Sequence, residues 1–275
     1  MSVRRALGGL LKALGGLLQF GGIIGILVAR DAGWEALVVL VLVTGVGAML
    51  LHIGKSLKQL TGEELLEQDK RSPVLLLRSF GRDNISHTVY NKIRARDYFG
   101  LEPGIKAIGR VLKGNIGFEE LLEEQFKPLG PFIAIGRPGE KLQAVGASRL
   151  YETDDTWKER VSELVDKSSA IIIVLDQTPG LMWELSHLTD VQIRKKVLLL
   201  SVATPAQAKR QEIFSEWESL IAENAGIHVH LDETVVGIYF DQCGQPVVLH
   251  SEEHDIADRI KTTADFVDYR MKEHG

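Results

Sequence analysis

Sulfur chemistry is almost missing from this chain, because Cys243 is the single cysteine among 275 residues. No internal disulfide can form, and such sparing use fits a reducing compartment. The glycine-rich phosphate loop, the G-x-G-x-x-G dinucleotide fingerprint and the G-x-S-x-G nucleophile elbow are also missing. So are basic clusters interleaved with aromatics. With a formal net charge of −5, no general electrostatic attraction to nucleic acid is expected. His228, His230, His250 and His254 lie in one region without a cysteine beside them, and no metal site is expected there.

The most informative absence is of charge. Residues 13–29 (ALGGLLQFGGIIGILVA) and 36–54 (ALVVLVLVTGVGAMLLHIG) carry no Asp, Glu, Lys or Arg. A helix rises about 1.5 Å per residue, so each run is about long enough for a hydrocarbon core of roughly 30 Å. Together, residues 1–54 read as a transmembrane hairpin with the lipid bilayer as first partner. The alternative is a signal peptide followed by one span. The residues at positions 30 and 31, Arg-Asp, make a poor cleavage site, and the second run follows at once. Arg4, Arg5 and Lys12 precede the first run and Lys55 and Lys58 follow the second, against Arg30 in the linker between them. This balance favours both termini in the cytoplasm, in a bacterial inner membrane. With no Asp, Glu, Lys or Arg inside either run, and His52 only near the end of the second, a transport pathway is not expected. A duplicated heptad, ALGGLLK then ALGGLLQ, and the small-residue pairs Gly21/Gly25 and Thr44/Ala48 suggest close helix packing, within the hairpin or in a homo-oligomer.

Residues 55–72 read as a juxtamembrane linker helix, with Thr61 and Glu64 in capping-box spacing. From residue 73 to 275 strands and helices alternate. The strand-like segments are 74–80 (VLLLRSF), 132–135, 170–175 (AIIIVL) and 196–202. The helical ones are 118–128, 154–168, 181–193 and 205–224. An irregular insertion occupies 81–117. A hairpin and a helix close the chain over 235–272. Such alternation predicts an α/β fold, a mostly parallel sheet with helices on both faces.

Ligands of such sheets bind beyond the carboxyl ends of the strands. This singles out Arg78, Ser79, Phe80 and Asp83 after the first strand. It also selects Gly136 and Arg137 in the turn after the second, and Thr178, Gly180, Trp183 and Glu184 after the strand at 170–175. A carboxylate one turn into a helix at that edge can accept bonds from ribose hydroxyls or stabilise an oxocarbenium-like centre, as N-glycosidic cleavage requires. Equally, Glu184 can complement the helix dipole while Trp183 joins the core. The fork of Arg78 suits a phosphate, with Ser79 adding a bond; alternatively Arg78 pairs with Asp83 or Asp155. Tyr151 and the carboxylates of Asp154 and Asp155 read first as a helix approach and its caps.

The segment DQTPGLMWEL, with VLLLRSF as first strand and the Gly136-Arg137-Pro138-Gly139 turn, resembles the Toll/interleukin-1 receptor (TIR) and SEFIR-related group of flavodoxin-like domains. The resemblance spans roughly 73–225. It implies a flavodoxin/TIR-like sheet and a hydrolase of NAD, with Glu184 catalytic and NAD as substrate rather than resident cofactor. Trp183 and Phe80 would then line the base or nicotinamide pocket, Arg78 and Ser79 would hold phosphate or ribose, and the 136–139 turn would cover the site or make assembly contacts. Two other functions stay open. One is a non-catalytic module for nucleotide sensing or protein interaction in signalling; the other is a transferase like the nucleoside deoxyribosyltransferases. In this chain Trp183 abuts Glu184 directly, and the 81–117 insertion departs from the usual pattern.

Overall fold

The computed structural model describes residues 3–28, 33–78, 118–136, 145–152, 156–175, 183, 185, 189–201, 207–232, 234–252 and 260–274. In chain order the elements are α1 (Val3–Val28), α2 (Trp34–Lys58), α3 (Gly62–Gln68), β1 (Val74–Leu77), α4 (Phe118–Phe126), β2 (Phe132–Gly136), β3 (Ser148–Tyr151), α5 (Trp157–Lys167), β4 (Ala170–Val174), α6 (Val191–Arg194), β5 (Val197–Leu200), α7 (Gln207–Ala225), β6 (Val235–Phe240), β7 (Pro246–His250) and α8 (Ala264–His274). They fall in two compact units, the helical hairpin and an α/β unit starting at Thr61.

Both hairpin helices are long and apolar enough to cross a membrane. They outrun the charge-free stretches: α1 starts at Val3, about three turns before residue 13, so Arg4, Arg5 and Lys12 are helical. Leu7, Leu10, Leu14, Leu17, Val38, Val41, Leu42 and Met49 point outward, as lipid-facing side chains do. The duplicated heptad now has a physical meaning. Its first glycines, Gly8 and Gly15, continue to Gly22 at the same spacing and face Gly54, Gly47 and Thr44 of α2. A methyl group on Gly47 would stand 2.5 Å from the Gln19 amide nitrogen, and one on Gly15 would stand 2.6 Å from that of Leu51. The backbones therefore meet where side chains vanish, as membrane helices require when lipid supplies no hydrophobic drive between them. The expected pair Gly21/Gly25 divides: Gly25 faces Leu40, while nothing stands within 4 Å of a methyl on Gly21.

Seven strands form one sheet in the order β3-β2-β1-β4-β5-β6-β7. The pairs from β3 to β5 are parallel, and β6 and β7 join antiparallel. The parallel strands are apolar runs because both faces are covered; all four residues of β1 are buried. One face packs Leu75, Leu77, Ile133, Ile171, Ile173, Val197 and Leu199 against Val161, Leu164 and Val165 of α5 and Phe214, Trp217 and Ile221 of α7. On α4 and α8, Phe126 meets Phe132 at 6.4 Å and Phe266 at 6.3 Å. Each such side chain contributes about 1.5–3 kcal/mol on full burial.

Strand β3 lies outside every strand-like run read from the sequence. The helix at 62–68 does carry the capping box: the Thr61 amide donates to Glu64 Oε2 at 3.0 Å and the Glu64 amide to Thr61 Oγ1 at 3.3 Å. It packs on the sheet, with a methyl on Gly62 reaching 2.6 Å from Leu150 and with Leu65 and Leu66 against the core. The closing helix, α8, latches the amino ends of the strands. Arg270 Nε and Nη2 donate to the Ser169 carbonyl at 3.0 and 2.8 Å, while the Ser169 hydroxyl lies 3.1 Å from the Pro73 carbonyl and 3.2 Å from that of Leu129.

On the same helix, burial pushes the Tyr269 phenol up to about 12, aided by its hydrogen bond to Glu273 and that residue's charge. The native state thus keeps the proton where the unfolded chain, titrating near 10, has released it. Stability from this group is fully present below pH 10 and falls as pH rises toward 12. In alkaline unfolding titrations Tyr269→Phe is expected to flatten that decline; an unchanged slope would refute the assignment.

Candidate functional site

Strand β1 runs to one side through α4 into β2, and the chain later crosses back to place β4 on its other side. The order reverses between β1 and β4, and beyond the carboxyl ends of two such strands an open α/β sheet has its crevice. Arg78 is the first residue after β1. Ser79, Phe80, Asp83, Arg137, Thr178, Gly180 and Glu184 lie outside the described residues, as does Asp155. Arg78, Gly136 and Trp183 are described.

Arg78 does not stand alone. Its Nε lies 2.8 Å from Glu119 Oε1, and Glu119 also receives Arg149 Nη2 at 2.8 Å on Oε1 and 2.7 Å on Oε2. Arg149 is 1% exposed, Glu119 7% and Arg78 15%. One carboxylate is therefore clasped by two guanidiniums in a desolvated setting, where an uncompensated charge is costly. Three elements converge to make it. β1 ends just before Arg78, α4 opens with Phe118 and Glu119, and β3 carries Arg149 opposite Ala134. Close approach behind the carboxylate depends on Gly146, whose φ of +124° suits glycine and where a methyl would stand 2.5 Å from the Glu119 carbonyl carbon.

Gly136, at the end of β2, faces Tyr151 across the ladder. A methyl there would meet the Tyr151 ring at 2.6 Å and the Arg149 Cβ at 3.0 Å. The glycine lets an aromatic ring lie along the strand end beside the buried arginine, and Tyr151 itself is 37% exposed.

Trp183 sits edge to face with Trp157 of α5, ring centroids 5.0 Å apart, and Lys158 Nζ lies 5.7 Å from both rings. Trp183 is partly buried against the main core, and Leu185 is fully buried in it. Trp183 and Leu185 are thus each held by packing.

Reading the sequence missed Glu119 and Arg149. The pair Glu119-Glu120 looks like ordinary acidic residues in a first helical turn, and nothing local announces that Arg149 is buried. Of the histidines, His230 Nδ1 lies 3.1 Å from Glu218 and His250 Nδ1 2.8 Å from Thr234 Oγ1, and His254 lies outside the described residues. No protein-family model, curated protein or solved structure matches the chain.

Proposed function

We propose that this chain is a membrane-anchored TIR-like protein whose α/β unit cleaves the N-glycosidic bond of NAD or a related nucleotide. In this reading both termini are cytoplasmic, the membrane is a bacterial inner membrane, and the hairpin gathers copies into a homo-oligomer. The carrying observation is the reversal of strand order between β1 and β4, with Arg78 directly after the first strand and the Trp183-Glu184 segment following the second. If edge strand β3 is set aside, the parallel strands run β2-β1-β4-β5, an order that agrees with flavodoxin-like topology.

The chemistry asked of the site is modest. The bond from ribose C1′ to the nicotinamide nitrogen breaks, and nicotinamide leaves with the bonding pair as a neutral ring. Water adds to C1′ and releases one proton. The Glu184 carboxylate would stabilise the oxocarbenium-like transition state, as paired carboxylates do in glycoside hydrolysis, and Arg78 would hold a phosphate. Expected for Glu184→Gln is a loss of NAD turnover by about 100-fold or more, with unchanged thermal unfolding. NAD consumption by clustered wild-type protein that survives the substitution would refute the assignment.

A second reading has its own support. Arg78 is already engaged by Glu119, and Trp183 by Trp157, as in a recognition module built for rigidity rather than turnover. Such a protein would bind a nucleotide or a partner and leave NAD intact.

A further inference from the structure

We infer that Glu119 and Arg149 are positioning residues that aim the Arg78 guanidinium at the pyrophosphate of a nucleotide, an inference that rests on the nucleotide-binding side of the reading above. The argument begins with what the cluster does not need to do. A buried ion trio is a poor source of stability, since well-packed apolar side chains of similar volume serve as well or better. Yet here a second arginine is buried at 1% exposure against a carboxylate that already has a partner.

Geometry suggests the purpose. Arg149 Nη2 contacts both Glu119 oxygens, which fixes the carboxylate's rotation. The oriented Oε1 then holds Arg78 Nε at 2.8 Å. Because a guanidinium is planar and its five donors form a rigid fork, fixing the Nε direction fixes the direction of the whole group. Arg149 and Glu119 are too buried to meet a ligand, whereas Arg78 is the most exposed of the three and follows β1 at the order reversal. The three side chains sum to one positive charge. An oriented guanidinium in such a place matches the paired oxygens of a phosphate or pyrophosphate.

The test is calorimetric titration of the full chain in detergent micelles with ADP-ribose and, separately, with inorganic pyrophosphate. Arg78→Ala is expected to weaken ADP-ribose binding by about tenfold or more, the range for a charge-assisted bond. Glu119→Gln, which keeps the shape and removes the charge, is expected to weaken it similarly. The double variant should be no weaker than Arg78→Ala alone, because one residue acts through the other. Should Glu119→Gln fail to fold, Arg149→Lys carries the same comparison, replacing the planar fork with a point charge. Pyrophosphate competing with ADP-ribose in the wild type, but not in Arg78→Ala, would identify the recognised group. Additive losses in the double variant, unchanged affinity in Glu119→Gln or Arg149→Lys, or a wild type that binds neither compound, would each overturn the inference. Binding without NAD turnover, unaffected by Glu184→Gln, would sink the catalytic reading and leave this one standing.

Discussion

Glu119→Ala is expected to lower the unfolding free energy of the α/β unit by about 3–5 kcal/mol, the usual cost of removing one partner from a buried ion pair. In a unit of this size that shift moves the thermal midpoint by on the order of 10 °C. The magnitude follows from the geometry. The carboxylate sits between Arg78 and Arg149, at 2.7 to 2.8 Å from their nitrogens, with Arg149 1% exposed. Without it, two guanidiniums repel each other in a medium that screens poorly. Glu119→Gln should cost less, because an amide oxygen still accepts a bond from one arginine. The pair Glu119→Ala with Arg149→Leu should recover part of the loss by removing the stranded charge. Chemical unfolding of the four proteins decides the matter; a loss below about 1 kcal/mol for Glu119→Ala, the range of an exposed pair, would mean that the cluster is solvated.

The second large effect belongs to the hairpin. Gly15→Leu and Gly47→Leu are each expected to destabilise helix association by about 1–3 kcal/mol, the usual penalty for overpacking. At both positions the first added carbon already meets backbone atoms at 2.5–2.7 Å, which a rotamer change cannot relieve. Gly9→Leu is the internal control, since nothing lies within 4 Å of a methyl there. All three substitutions add the same hydrophobic bulk and the same helix propensity, so their difference isolates the seam. The readout is the midpoint of loss of structure on titrating the micelle-bound full chain with dodecyl sulfate. Equal midpoints for Gly9→Leu and Gly15→Leu would show that the helices do not meet along this line.

Much of the architecture was legible because its signals are local. The β-branched run AIIIV made β4 plain, and the one-sided pattern of Val161, Leu164 and Val165 did the same for α5. The turn between β6 and β7 was marked by Gly244. What could not be read depends on distant partners. Strand β3 spells Ser-Arg-Leu-Tyr, a sequence no periodicity would bury, and Arg149 is tolerated there because Glu119, 30 residues earlier, neutralises it. Arg78 was legible as a residue at a strand's carboxyl end, but its companion was sought at Asp83 or Asp155 and the described one is Glu119, on a helix beyond the insertion. The two hairpin helices also extend beyond the charge-free runs. Charge-free length measures what lipid tolerates, while helix continuity follows backbone bonding, which runs past Lys12 and Lys55. The glycine seam was half legible: the repeat was visible, and which glycines of each doublet face inward was not.

The latch between α8 and the amino ends of the strands has a consequence for how the chain comes into being. Arg270 reaches the Ser169 carbonyl 101 residues upstream, and Phe266 packs on Phe126. During synthesis the hairpin emerges first and can form on its own helix contacts. Until α8 is made, the carbonyl of Ser169 lacks its cation and one aromatic face of α4 lies bare. A ribosome-bound chain stalled before Ala264 is therefore expected to leave Phe126 without its Phe266 partner and to be cut by protease sooner than the finished chain.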